Sequence, residues 1–331
     1  MEIRGTGVID GLGYDWWLFV WTSFIDHRPN LINIVHSIGI ELSGLQLLNS
    51  PHYHVELDDV IDVIVRDLVI EVDVVRQRNL AKKLGIWSSK LNIPLFPLNT
   101  DGIDPKGRDV LIENVTITNF DDAVAVRPQH SDASHLTNCS ERILIRNCRV
   151  KFGVGMTIGS VPPHDATNCV RNVTFEAVDF EYTLKAIYVK TNPGESGDGL
   201  IEHIHYRGVT LRHAVWMPLW VGPQQQRQPG TAGTGCSFLY PLWPTKCPTQ
   251  PRVTLRNIEV RDAHFTGDLL WPGVLLCDAR NPCTGFAFAN VTQSGLMVLR
   301  RSYVCENVLE FSMSGEVTPR PNCARHNDTN Y

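Results

Sequence analysis

The sequence lacks a hydrophobic run long enough to cross a membrane. Its densest apolar cluster, Trp16 to Trp21, breaks off far short of the roughly 18 residues that a spanning helix needs. It also lacks any strong excess of one charge. Thirty Lys plus Arg stand against thirty-five Asp plus Glu, a net −5. That balance excludes a general nucleic-acid binder and requires any polyanionic partner to find a local basic site. No Cys-x2-Cys pair is matched by a second pair, so the pattern of a zinc site is missing and no metal is expected. Asn-Gly and Asp-Gly turns are too few for a β-sandwich of hairpins. No secretory leader stands at the start. Met1-Glu2-Ile3-Arg4 runs straight into Gly5-Thr6-Gly7, as expected of a mature or trimmed chain.

What is present is enough to bury a large core. Of 331 residues, 43% are hydrophobic and only 20% charged, which excludes wholesale disorder. The organising signal is internal repetition. Arg108–Thr118, Glu141–Lys151, Arg171–Glu181, Ile201–Leu211 and Arg252–Arg261 each read as two short alternating stretches joined at Asn, Ala or Gly. A weaker version runs through Ile38–Leu48 and Ile61–Val72. The joints fall at 114, 147, 177, 208 and 257. Period-two alternation means strands with one buried face, and no helical pattern intervenes. The expected fold is all-β, a parallel β-helix of stacked coils filling residues 1–318, with a polar tail at 319–331. Residues at one offset then form one ladder. Asp122–Arg127 is aligned with Gly155–Ser160 and Lys185–Lys190, which groups Val124, Thr157 and Ile187 on one face and brings Arg127 and Lys190 to one offset.

Nine cysteines are many for a reducing compartment. Cys236 and Cys247, Cys277 and Cys283, and Cys305 and Cys323 are spaced for local staples, and Cys148 sits in an apolar alternation as a core thiol. Sequons at Asn114, Asn138, Asn172, Asn290 and Asn327 fit a secreted glycoprotein, while the recurrent Asn-Val-Thr also fits turn geometry. Two histidines in Pro51-His52-Tyr53-His54 read as satisfied or exposed rather than as a metal pair. Trp216, Trp220 and Trp243 read as packing groups, and Gln224–Gln226 as a polar loop.

The chemistry lies in carboxylates. Asp101 and Asp104 follow Asn99-Thr100, and Asp121-Asp122 open a strand, where aspartate is disfavoured. Adjacent carboxylates raise one another's pKa, so an acid and a base can coexist.

Here the chain resembles glycoside hydrolase family 28, the polygalacturonases and their relatives. Asn99-Thr100-Asp101 matches the family's N-T-D, Asp121-Asp122 its D-D, and Gly153-Val154-Gly155 its G-H-G. Tyr188-Val189-Lys190 stands at its R-I-K. Gly5-Thr6-Gly7 through Gly11, with Trp16-Trp17 and Asn49-Ser50-Pro51, adds support, and the likeness runs from about Gly5 to Asn290. It implies a right-handed parallel β-helix lacking its first coil and cap. It also implies a secreted, cofactor-free monomer that hydrolyses α-linked pectic polysaccharide with inversion. Asp121 would be the general acid, and Asp101 and Asp122 would activate water. Their carboxyls would stand about 6.5–9.5 Å apart. Asn99, Arg127, Tyr188 and Lys190 would bind substrate, with Arg127 and Lys190 as a basic cradle for uronate. Val154 and Tyr188 depart from the family's histidine and arginine. They point toward a rhamnogalacturonan- or xylogalacturonan-directed hydrolase, or toward a pectin-binding relative without activity. A calcium-dependent pectate lyase is the rival from another enzyme class.

Overall fold

The computed structural model describes residues 1–85, 95–225, 235–242, 247–267, 271–295 and 302–323. Among these residues the chain forms twenty strands and two helices, and every strand pair is parallel. The result is the expected parallel β-helix. One row stacks Ile32–Ser43, Val55–Arg66, Ile103–Glu113, Ser140–Lys151, Asn168–Glu181, Gly199–Arg212, Val253–Thr266 and Thr284–Ser294. A second row stacks Asp122–Val126, Gly155–Val161, Ile187–Thr191 and Leu219–Pro223, continued by Val274–Leu276 and Val304–Glu306.

The alternation sets which face is buried. Ile143 pairs with Val173 and Val173 with Ile204, so branched residues stack through the interior coil upon coil. Phe175 and Tyr206 lie in the same interior, with rings parallel at 4.7 Å. On the outer face, register brings opposite charges together. Arg146 reaches Glu113 at 2.7 Å and Arg171 reaches Glu141 at 2.6 Å. Pairs this exposed contribute at most about 1 kcal/mol each, so the apolar interior dominates stability.

Each long strand bends where one residue turns left-handed. Asn114, Asn147, Ala177 and Gly208 form one such ladder, with φ between 52° and 62°. Arg207 pairs with Arg261 and Val209 with Ala263, so the next member is Asp262, not Asn257. Asn257 belongs to a second ladder beside His203, below which lie Asn172, Arg142 and Asp109. Two kinks five residues apart in every coil make an isolated Asn ambiguous. Three sequon asparagines, Asn114, Asn172 and Asn290, occupy kinks, the turn geometry that Asn tolerates.

Two helices depart from the expectation of strands alone, Tyr14–Ser23 and Val74–Leu84. The second carried readable signals. Asp73 accepts the Arg76 N–H at its start, and Gly85 ends it at φ 73°. Tyr14, Trp17 and Leu18 pack with Val72 and Ala81 in a separate apolar cluster that joins the two helices. No described helix is long and apolar enough to cross a membrane.

The three local disulfides form as the spacing predicts. A fourth, Cys139–Cys169, joins neighbouring coils. Cys148 is free and buried, and burial pushes its thiol up to about 12. The last strand ends at Thr318. Cys323 is nevertheless tied back to Cys305, so the start of the polar tail is held to the coil stack. Residues 324–331, with Asn327, and also Gln226 and Trp243, lie outside the described residues.

The kink ladder predicts a pair of opposite effects. Ala177 bears the strain of a Cβ at φ 52°, so Ala177→Gly is expected to stabilise by about 0.5–1 kcal/mol. Gly208→Ala is expected to destabilise by about 1 kcal/mol through conformation alone, since a Cβ there meets nothing nearer than 3.6 Å. Urea denaturation of both variants checks the signs.

Candidate active site

Stacking brings two loops of acidic residues together. The Gly102 N–H donates to the Asp122 carbonyl at 3.0 Å, and the Asn119 amide donates to the carbonyls of Thr100 at 3.1 Å and Asp122 at 2.8 Å. This clamp fixes Asp101 beside Asp121 and Asp122. One carboxylate oxygen from each lies within 4.8 Å of the others. Gly153 makes the close approach possible. It sits at φ 65°, and a Cβ would fall 2.4 Å from the Asp121 carbonyl. The three aspartates open into a cavity of about 370 Å³, also lined by Asn99, Asp104, Arg127, His130 and Lys190.

A register shift aims Asp122. Gly155 pairs with Asp122 but Met156 with Val124, leaving Ala123 as an extra residue. Bulges of this kind redirect side chains next to functional sites. The shift also corrects the expected ladder. Met156, not Thr157, shares the inner face with Val124 and Ile187, while Thr157 stacks between Ala125 and Tyr188. Thr157 thereby donates its hydroxyl to Asp122 at 2.6 Å.

Each carboxylate has its own environment. Asp122 accepts from Thr157 and, at 2.7 Å, from the Lys190 ammonium. Asp121 accepts the N–H of Asn99 at 2.8 Å and of Asp122 at 2.9 Å. Burial and then Asp122 still hold it above the ordinary aspartate value, against Lys190 and these donors. Asp101 is buried, and its Oδ1 has no hydrogen-bond partner among the described residues. Burial drives its carboxyl well above the ordinary range, and Asp104, Asp121 and Asp122 add to the rise. The carboxylates of the cluster therefore titrate as a unit.

Of the four expected substrate-binding residues, Asn99, Arg127 and Lys190 line the cavity and Tyr188 does not, and all four have partners within the protein. Asn99 gives its backbone N–H to Asp121, while its side-chain oxygen accepts from Arg28 at 3.2 Å. Arg127 and Lys190 do share one offset, but they do not form an open basic cradle. Arg127 donates to Asp104 Oδ2 at 2.8 and 2.6 Å and lies 4.6 Å over the Tyr53 ring. Lys190 is committed to Asp122. Burial lowers and Asp122 raises its ammonium, with a net rise. Tyr188 is 5% exposed and its hydroxyl accepts the Gln225 N–H at 3.1 Å, so it is no sugar-stacking face. Asp104 keeps a carboxyl raised to about 7 by burial in spite of Arg127.

Sequence reasoning missed Lys185. It is 2% exposed, its ammonium lies 4.7 Å from the Tyr188 ring centroid, and Lys190 lies 4.9 Å from the same ring. Burial lowers it to about 7, opposed by Asp122 and Asp121. Nothing in Leu184-Lys185-Ala186 signals a buried cation; only the fold turns it under the aspartates. Val154 and Tyr188 belong to one apolar cluster with Met217, Trp220 and Trp271, so the two departures from the family pattern pack as a single apolar wall.

The bland readings of His52, His54, Trp216 and Trp220 hold, while Gln224 and Gln225, read as a polar loop, are buried. His54 is fully buried with both ring nitrogens engaged, by the Asp101 carbonyl and the Ser50 N–H, and burial lowers it to about 4. His52 contacts Asn30. Trp220 is buried, and Trp216 stacks on Phe238 at 5.0 Å.

Fold and site together define a parallel β-helix protein with a carboxylate-lined cleft. The chain belongs to the glycosyl hydrolases family 28, whose family model matches residues 1–315. It is 26% identical over 299 residues to a polygalacturonase of Juniperus ashei, covering 88% of this chain and 49% of that protein. It is 23% identical over 334 residues to an alpha-L-rhamnosidase of Aspergillus niger, covering 96% and 68%. Among solved structures it is similar to the endo-xylogalacturonan hydrolase of Aspergillus tubingensis, with a TM-score of 0.71 at 20% identity over 96% of this chain and 77% of that one. The polygalacturonase of Erwinia carotovora ssp. carotovora follows at 0.62 and 20%, covering 95% and 70%. The chain spans about half the length of the curated polygalacturonases of Juniperus ashei and Chamaecyparis obtusa.

The buried cluster predicts a stability signature. Asp101 titrates higher folded than its unfolded value near 3.9, so its contribution to stability is full below about pH 4 and is lost as pH rises through the folded value. Asp101→Asn removes that loss. Its Tm is expected to exceed wild type at pH 7, by on the order of 2 °C, and to match it at pH 4. Calorimetry at both pH values checks this.

Proposed function

We propose that the chain is a glycoside hydrolase acting on α-linked pectic polysaccharide outside the cell. The observation that carries this reading is the cluster of Asp101, Asp121 and Asp122 in one cleft, within a family-28 chain. Asp121 lines the cavity and serves as the general acid for the glycosidic oxygen. Asp101 and Asp122 activate the water. Oxygens within 4.8 Å can share one water, since two hydrogen bonds of about 2.8 Å span up to roughly 5.6 Å. That contact is shorter than the 6.5–9.5 Å carboxyl spacing expected from the sequence for inversion, so spacing gives inversion no support here and the family resemblance alone implies it. Asp122, paired with Lys190 at 2.7 Å, takes the proton released by the water.

One observation favours substrates carrying neutral sugars over a fully acidic chain. The cleft's cations are engaged by carboxylates, Arg127 with Asp104, Lys190 with Asp122 and Lys106 with Asp58. A uronate entering here meets paired charge where the family pattern has an arginine. A calcium-dependent lyase is not favoured, because the Lys190 ammonium already neutralises Asp122 where a cation would bind.

Asp121→Asn is expected to lower turnover at least about a hundredfold with the fold intact, because an amide cannot act as the acid. Release of reducing ends from homogalacturonan, xylogalacturonan and rhamnogalacturonan measures it. Retention of more than a few per cent of wild-type turnover sinks the assignment. In the same assay wild type is expected to prefer a chain with neutral sugars over homogalacturonan. NMR of the first-formed anomer reads the stereochemistry, for which the resemblance predicts inversion.

A further inference from the structure

We propose that His130, Asp132 and His135 bind one divalent transition-metal ion of the zinc class at the rim of the cleft, separate from the three aspartates. One donor atom of each lies within 4.8 Å of the other two. Two imidazoles and a carboxylate are the donor set of zinc-like ions rather than of calcium, which takes oxygen ligands. Metal bonds of about 2.0–2.2 Å require donors roughly 3.5 Å apart, so closing the site takes about 1 Å of side-chain movement.

A second observation points the same way. The Nδ1 of His135 is buried and has no hydrogen-bond partner among the described residues. An unpartnered buried imidazole nitrogen carries a desolvation cost that a bound ion would remove. The His130 and His135 rings stand 4.8 Å apart at 84°, face against edge rather than stacked. Asp132 Oδ1 accepts the Ser134 N–H at 2.8 Å and its hydroxyl at 2.7 Å, which orients the carboxylate as an outer partner orients a ligand.

The backbone holding these groups is braced. Buried Asp59 accepts the N–H of Leu136 at 2.8 Å and of Thr137 at 3.1 Å, and the Gln129 amide at 2.9 Å. The Cys139–Cys169 bridge and paired backbone bonds between Gln129 and Cys169 pin the loop to the next coil. His164 lies 4.2 Å from the His130 ring but is not a ligand in this reading, because its Nδ1 accepts the Ala166 N–H at 3.2 Å. Three protein ligands leave a fourth position for water or a further oxygen ligand. His130 and His164 both line the cavity that holds the aspartates. The proposal does not depend on the hydrolase reading, because binding is measured without substrate.

The test is titration of untagged protein with Co2+, an absorbing stand-in, and with Zn2+ by calorimetry. The expected result is one ion per chain, with visible bands of a four-coordinate Co2+ that Zn2+ abolishes. His135→Ala and Asp132→Asn should each weaken binding at least about tenfold while leaving the metal-free thermal melt unchanged. Absence of saturable binding by either ion overturns the proposal. So does unchanged affinity in either variant.

Discussion

Everything in this molecule depends on in-register parallel stacking of the backbone. Coils about 4.8 Å apart, held by hydrogen bonds along both strand rows, force residues at one offset into contact however distant they are in sequence. Val126, Ile158 and Val189 meet inside the stack, and Asp122 meets Lys190 across 68 positions of chain. The left-handed kinks let each long strand turn the corner without breaking that register. A single extra residue, Ala123, is then enough to turn Asp122 toward the cleft.

Burying four carboxylates in one cleft is costly unless charge is balanced locally. Arg127, Lys190 and Lys185 supply that balance, two through hydrogen-bonded ion pairs and one through the Tyr188 ring and nearby acidic charge. The same arrangement explains why these cations are committed to the protein rather than offered to a ligand. Asp101 is left with an oxygen that has no hydrogen-bond partner among the described residues, and burial pushes its carboxyl well above the ordinary range.

Val154 and Tyr188, which the resemblance sets at the positions of the family's histidine and arginine, pack in one cluster. Both enter the apolar cluster beneath the cleft, where an arginine would leave a further buried cation beside Lys185 and Lys190. Tyr188 instead offers its ring to both ammonium groups, an attraction that strengthens as water is excluded.

The sequence by itself determined the architecture and the aspartates. Period-two alternation with Asn, Ala or Gly joints leaves few alternatives to a coil stack, and Asn99-Thr100-Asp101 with Asp121-Asp122 marks the acidic cleft. Short-range disulfides were legible for the same reason, since spacing limits their partners. What only the tertiary structure decided is who faces whom. The partners of Arg127 and Lys190, the burial of Lys185 and Tyr188, and the choice of Asp262 over Asn257 all turn on register between coils. A slip of one residue moves a side chain to the opposite face, and nothing local in the sequence records the bulge at Ala123 that sets it.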